Sequence, residues 1–325
     1  MNLAIVGCGG IGRLHAEMAT RAGLKIVACT DKDPDAAKAL GRQYNASAST
    51  DMDGVIRRPD VDIVLVTTPT PRHSGAVTDA AKAGKHIFCE KPFASTVQQC
   101  RAAIAAAKKA RVKLFVGHVV RYFHEFETIR AEIRAGKIGT PGFAKLYRGG
   151  FYPGGPTSWF RDYAQSGGVT FDCMIHDLDW VRYMFGEPER IFCQALRRSE
   201  PEKLDYSQVT MKMKNGMLAL VIGTWAHPAG FQVKVEVCGS GGAIQFDSKV
   251  SSLSAMKREV KGAAPTMVVP SSAEDVSPYQ LEWEDFIGWI EGKHEPRVTA
   301  EDAVRAVEIA LAALKSADTG KPVEL

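Results

Sequence analysis

The chain has 325 residues, 45% of them apolar, and a net charge of +4, which allows two domains with substantial cores. Its apolar runs fall short of the ~18–20 residues of a membrane helix. Its basic residues form no run of the kind a nucleic-acid surface shows, and its first residues lack the basic and apolar regions of a secretion signal. Seven cysteines, Cys8, Cys29, Cys89, Cys100, Cys173, Cys193 and Cys238, occur without a Cys-x-x-Cys spacing. They predict buried, reduced thiols in a cytoplasmic protein, with neither disulfides nor a metal site.

Residues 1–118 alternate short apolar runs with helical patterns, as a parallel α/β sheet does. Strands are predicted at 3–6, 25–29, 62–66, 86–89 and 114–116. Helices are predicted at 13–22, 34–44, 72–83 and 96–110, the last rich in alanine. Motif residues follow the first four strands, where open parallel sheets bind ligands.

After the first strand comes Gly7-Cys8-Gly9-Gly10-Ile11-Gly12, a G-x-G-x-x-G run entering a helix. Such a turn brings Gly7, Gly9, Gly10, Ile11 and Gly12 against a pyrophosphate, with helix N–H groups as donors. Asp31 falls 19 residues beyond Gly12, at the end of the second strand. A carboxylate there accepts ribose hydroxyls and repels a 2′-phosphate, so NAD is favoured over NADP. A bare glycine-rich turn is the alternative. The third strand runs into Thr67-Thr68-Pro69-Thr70-Pro71-Arg72-His73, which is either a purely structural loop or packing for a ribose or nicotinamide. Thr67, Thr68, Pro69 and His73 are its candidate cofactor residues. The fourth strand runs into Glu90-Lys91-Pro92. Proline biases Lys91 towards an extended conformation. By itself, Lys91 fits equally a surface lysine at a turn.

Beyond residue 119 the pattern changes. A helix is predicted at 126–135, then a Gly/Pro-rich loop at 149–156. Next comes Gly167-Gly168-Val169-Thr170-Phe171-Asp172-Cys173-Met174-Ile175-His176. If it is helical, Asp172 and His176 share a face as an acid–base pair, and the two glycines let the backbone approach a flat ligand. Strands are predicted at 191–196, 206–213, 217–225, 232–238 and 243–246. Asn215-Gly216 is a hairpin turn signal, so the sheet should be mostly antiparallel. Residues 256–278 read as a mobile loop, and helices are predicted at 280–291 and 299–317.

In its glycine motif, in Phe88-Cys89-Glu90-Lys91-Pro92-Phe93, in Gly167-Gly168…Asp172…His176, and in Gly320-Lys321-Pro322-Val323 after a long helix, the chain resembles the glucose–fructose oxidoreductase / inositol dehydrogenase / MocA family. The resemblance covers essentially the whole chain. It implies an α/β protein with an N-terminal Rossmann dinucleotide-binding domain, residues 1–118, and a C-terminal α/β domain, residues 119–325. The second would bind substrate through a large, mostly antiparallel open sheet that also makes homodimers or homotetramers, and the C-terminal helix could pack back on the Rossmann domain. The implied reaction moves hydride between NAD and a secondary alcohol of a sugar or cyclic polyol, with no metal. Lys91 would bind the reacting oxygen, His176 would act as acid and base, and Asp172 would orient His176 or hold a hydroxyl. Glu90 and Lys91 would border the cofactor. His118, Arg121, Trp159, Arg161 and Tyr279 would be substrate residues, each also explicable structurally. Other readings within the resemblance are a keto-sugar reductase of the 1,5-anhydrofructose type, a glycoside or nucleotide-sugar 3-dehydrogenase, and an NAD-recycling glycosidase. A non-catalytic NAD-binding regulator is the remaining one. Such regulators typically lose the lysine or the histidine, and both are present here.

Overall fold

In the computed structural model, residues 1–153, 158–198, 204–228, 230–250, 252–257, 267–270 and 276–325 are described. The chain forms two compact units, Met1–Tyr122 with Val276–Val307, and Phe123–Asp275 with Glu308–Leu325.

The first unit contains β1 (Asn2–Val6), α1 (Gly10–Arg21), β2 (Lys25–Thr30), α2 (Pro34–Tyr44), β3 (Ser47–Ser49), α3 (Met52–Ile56), β4 (Ile63–Val66), α4 (His73–Lys82), β5 (His86–Glu90), α5 (Val97–Ala110) and β6 (Leu114–Gly117). The strands pair in parallel in the order β3-β2-β1-β4-β5-β6. Their strongly apolar sequences suit burial on both faces. The strand order reverses between β1 and β4, which opens a ligand crevice beyond their C-terminal ends. Asp33 caps α2 by accepting from the Asp35 N–H at 2.9 Å, with Pro34 at the first helical position. β3 and α3 add to the predicted elements, and α1 starts three residues before the predicted 13–22. Both new elements are too short to show a periodicity.

The second unit contains α6 (His124–Arg134), β7 (Pro141–Gly149), α7 (Tyr163–Ser166), a π-helical turn at Val169–Cys173, α8 (Ile175–Phe185), β8 (Pro188–Arg198), β9 (Leu204–Met213), β10 (Leu218–Thr224), β11 (Gln232–Gly239), β12 (Gly242–Asp247), β13 (Ser252–Lys257) and β14 (Met267–Pro270). Then come α9 (Pro278–Ile290), which belongs to the first unit, α10 (Ala300–Thr319) and β15 (Val323–Glu324). Nine strands pair in the order β14-β13-β12-β11-β7-β10-β9-β8-β15. All neighbours are antiparallel except β7 and β10, which run parallel. Gly216 takes the left-handed conformation in the β9–β10 turn at φ +86°.

The structure corrects three expectations. β7 occupies residues that show no strand signal in the sequence reading. β14 lies within 256–278, so that span is not all loop; its residues 258–266 and 271–275 lie outside the described ones, as do 154–157 of the Gly/Pro-rich loop. The Asp172–His176 run is not one α-helix: Asp172 sits in the π turn and His176 in the first turn of α8.

α9 lies on the parallel sheet of its own unit. Trp283 stacks on Phe88 of β5 with ring centres 4.4 Å apart, and Phe286 packs against Phe115 of β6 at 5.5 Å.

Candidate active site

Gly7 follows β1 at φ +106°, where a Cβ would stand 2.6 Å from the Thr67 carbonyl oxygen, and a Cβ on Gly12 would stand 2.1 Å from the Gly7 carbonyl oxygen. These two glycines bring the turn, the loop after β4 and the start of α1 into backbone contact. Thr67 Oγ1 ties the loop down by donating to the Gly7 carbonyl at 2.7 Å. Gly9 and Gly10 are different: a Cβ on either meets nothing within 4 Å. α1 has no side-chain cap, so the N–H groups of Gly10, Ile11 and Gly12 are offered at an open helix start. The buried Thr68 Oγ1 also has no partner among the described residues. Small residues, open amides and an orphaned hydroxyl at a topological switch point fit a dinucleotide pyrophosphate.

Asp31 is locked to the same turn. Its Oδ2 accepts from the Cys8 N–H at 2.7 Å and its Oδ1 from the Asp33 N–H at 2.9 Å. Each oxygen keeps a second lone pair for a ribose hydroxyl.

His73 opens α4 and is 1% exposed. Its Nε2 faces the Thr68 carbonyl at 2.7 Å and its Nδ1 the Pro92 carbonyl at 2.8 Å. Burial holds its pKa below the ordinary histidine value, and a neutral imidazole donates from one nitrogen only. His73 therefore sits between the Thr67-Thr68-Pro69 loop and the loop bearing Lys91, donating to one of the two carbonyls and packing against the other.

Glu90 ends β5 and is buried. Its Oε2 accepts from the Lys91 N–H at 2.9 Å, and its Oε1 meets His15 Nε2 of α1 at 2.7 Å. Trp283 Nε1 of α9 donates to His15 Nδ1 at 3.1 Å. An indole can only donate, so His15 carries its proton on Nε2 and donates to Glu90. Burial alone would raise the Glu90 pKa; the hydrogen bond from His15, the Lys91 ammonium and the Lys91 N–H outweigh it and hold the carboxyl below its usual value. A chain of hydrogen bonds from Trp283 thus ends on the backbone of Lys91. No sequence motif announces His15 or Trp283, because the chain joins residues from distant elements.

The remaining candidates of this unit are more enclosed. His118 is buried just after β6. Arg121 is 1% exposed, and its Nη1 donates to the Arg297 carbonyl at 3.1 Å and to Asp302 Oδ2 at 3.2 Å. Tyr279 of α9 meets the His15 ring edge-on at 5.5 Å.

In the second unit, Trp159 and Arg161 form a single 3₁₀ turn. Asp162 then caps α7 by accepting from the Ala164 N–H at 2.9 Å. Gly167 and Gly168 follow at φ +66° and +64°, but they do not open towards a ligand. A Cβ on Gly167 would meet the Phe171 side chain at 2.4 Å, and one on Gly168 would meet Asp205 Oδ2 at 2.7 Å. They let the π turn close on its own core. On its other side the turn rests on β10, where a Cβ on Gly223 would stand 2.3 Å from Met174 Cγ. Asp172 leaves from this turn and His176 from the α8 turn after it. α8 is anchored beside His176: Asp177 accepts two hydrogen bonds from Arg148 of β7, at 2.7 and 2.8 Å, both side chains buried. Among the described residues, no cluster of side chains could hold a metal ion.

Two family models match the chain. One, an oxidoreductase family with an NAD-binding Rossmann fold, matches residues 1–118, and the GFO/IDH/MocA C-terminal domain matches residues 126–245. The chain is 29% identical to the myo-inositol 2-dehydrogenase of Thermotoga maritima, over 100% of this chain and 98% of that one. It is also 29% identical to the NAD(+)-dependent scyllo-inositol 2-dehydrogenase of Bacillus subtilis strain 168, over 99% and 95%. A levoglucosan dehydrogenase solved with NADH and levoglucosan shares the fold at a TM-score of 0.90 and 21% identity, covering 100% of this chain and 99% of that one. With its NAD-binding Rossmann unit and its matching C-terminal domain, the chain belongs to the glucose–fructose oxidoreductase / inositol dehydrogenase / MocA family of oxidoreductases.

Proposed function

We propose that this oxidoreductase oxidises a secondary alcohol of a cyclic polyol or sugar, or runs the reverse reduction, with NAD. The observation that carries the reading is the placement of Lys91. It follows directly on the nucleotide-site strands, and its backbone is fixed by Glu90, His15 and Trp283. The names of the inositol dehydrogenases to which the chain is similar over its whole length support the substrate class. Residues 1–118 would hold the dinucleotide and residues 119–325 the substrate.

Bound NAD would supply the acceptor for the hydride. The protein's own task is the proton. A carbinol proton is too weakly acidic to leave unaided. Lys91 donates a hydrogen bond to the reacting oxygen and stabilises it as it becomes alkoxide-like. His176 takes the proton in oxidation and returns it in reduction, a role that imidazole fills near neutral pH. Asp172 orients His176 or holds a neighbouring hydroxyl.

NADH formation, measured with NAD and NADP in parallel against inositols, aldoses and a few glycosides, tests this reading. Turnover on a ring alcohol with NAD is expected. Lys91→Ala and His176→Ala should each lower kcat about 10²–10⁴-fold while NAD affinity stays within about twofold. NAD binding with no turnover on any member of the panel would sink the proposal.

The assembly proposed is a homodimer or homotetramer through the open face of the second sheet. Leu196 and Tyr206, exposed cross-strand partners on β8 and β9, are the apolar residues proposed to meet a second copy. Seven free cysteines, five of them buried, suit a reducing compartment, and the cytoplasm is the proposed location.

A further inference from the structure

The inward row of β9 reads Asp205, Ser207, Val209, Met211, Met213, all buried. A fully buried aspartate at the head of such a row is costly unless its charge is used. Here one oxygen has a clear task. Oδ2 accepts a hydrogen bond from the backbone N–H of Val169 at 2.8 Å. Val169 is the first residue of the π turn that carries Asp172 and leads into the turn of His176. That turn begins at Gly168, which has no side chain to cap it. A Cβ on Gly168, which stands at φ +64°, would lie 2.7 Å from Asp205 Oδ2, so a side chain there would push the carboxylate aside. On the far side Met174 is seated over Gly223. The turn is therefore held at its start by one carboxylate and at its end by packing.

We infer that Asp205 is a positioning residue: its carboxylate caps the π turn from the neighbouring sheet, thereby setting where Asp172 and His176 stand, and loses its grip when it is protonated. The catalytic meaning of this rests on the function proposed above for Asp172 and His176.

The surroundings make protonation accessible. Oδ1 has no hydrogen-bond partner among the described residues. The charged and titratable groups around Asp205 are Arg197, its partner across β8, and Tyr163 of α7 with Tyr152 beside it. Arg197 is itself ion-paired with Asp318 of α10. Burial pushes the Asp205 carboxyl up to about 7, against the downward pull of the Val169 hydrogen bond and Arg197. Acidification through about pH 7 neutralises the group and weakens the cap.

Two readouts on the NAD-bound protein, as wild type, Asp205→Asn and Asp205→Ala, test the inference. The first is hydrogen exchange of the peptide 167–176. The second is kcat and KM against pH on the ring alcohol that the wild type oxidises. In both variants exchange across the π turn should rise about tenfold or more while the rest of the chain keeps its rates. In the same variants kcat should fall about tenfold or more, with NAD affinity within about twofold. The protection of 167–176 in the wild type should fall on acidification through about pH 7, and that loss should be missing in Asp205→Asn. Wild-type exchange and kcat in Asp205→Asn would overturn the inference. So would exchange that rises evenly over the second unit with kcat falling only in step with thermal stability. If the wild type oxidises no ring alcohol, the proposed function fails. The exchange of 167–176 then still decides for or against the cap.

Discussion

Glu282 of α9 is 0% exposed, and neither of its carboxyl oxygens has a partner among the described residues. Burial, then the nearby charges of Glu90 and Asp285, raise its pKa well above the ordinary carboxylate value. The folded protein therefore keeps a proton that the unfolded chain releases above about pH 4.5. A group of this kind costs stability as pH rises, because the folded state binds more protons than the unfolded one. Glu282→Gln keeps the shape without the ionisation. It should raise Tm by a few degrees at about pH 8 and leave it nearly unchanged at about pH 4. Thermal unfolding at both pH values checks this; equal shifts at the two would contradict it. Asp205 carries the same kind of cost. Its rise from 3.8 to about 7 amounts to a penalty on the order of 4 kcal/mol for the charged form. Evolution commonly accepts such costs where activity needs them.

At the scale of the element, the joint between β7 and α8 depends on one ion pair. Arg148 and Asp177 meet in two hydrogen bonds with both side chains buried. Removing either partner strands a buried charge, so Arg148→Ala or Asp177→Ala should cost about 3–5 kcal/mol in denaturant unfolding, while Arg148→Met with Asp177→Leu should recover most of it. Single variants within about 1 kcal/mol of wild type would refute the dependence.

The same pair explains why β7 is hidden in the sequence. Its inward residues are Ala144, Leu146 and Arg148, and an arginine in the inward row breaks the alternation that reveals β9 and β10. The parallel strands and the glycine turn are legible because each element declares itself locally, through apolar runs, glycines and caps. Asp205 is missed for the reason β7 is. The apolar alternation of 206–213 begins one residue after it, and its partner, Val169, lies on another element. His15 and Trp283 fail to show for the same physical cause: hydrogen bonds between distant elements leave no periodicity.

At the scale of the whole molecule, the open sheet raises the question of what covers it. Leu196 and Tyr206, partners across β8 and β9, are each more than 40% exposed. If they form the interface between copies, Leu196→Glu with Tyr206→Glu should shift the protein to a smaller species in sedimentation, with the fold intact by circular dichroism. An unchanged mass would place the interface elsewhere.

The one parallel pairing in that sheet has a further consequence, for the order in which the protein assembles. β7 and β10 join Phe143 to Leu218 and Gly149 to Thr224. Everything from the 3₁₀ turn of Trp159 through α7, the π turn, α8, β8 and β9 lies inside the loop that this pairing closes. Closing so long a loop is entropically unfavourable until its contacts form. Gly223 lies on the strand that closes it and Arg148 on the strand it joins. Until the two strands find register, Met174 has no seat and Asp177 has no partner on its final strand. The segment bearing Asp172 and His176 is thus enclosed by a long-range pairing, and it is ordered only once the chain has come back on itself.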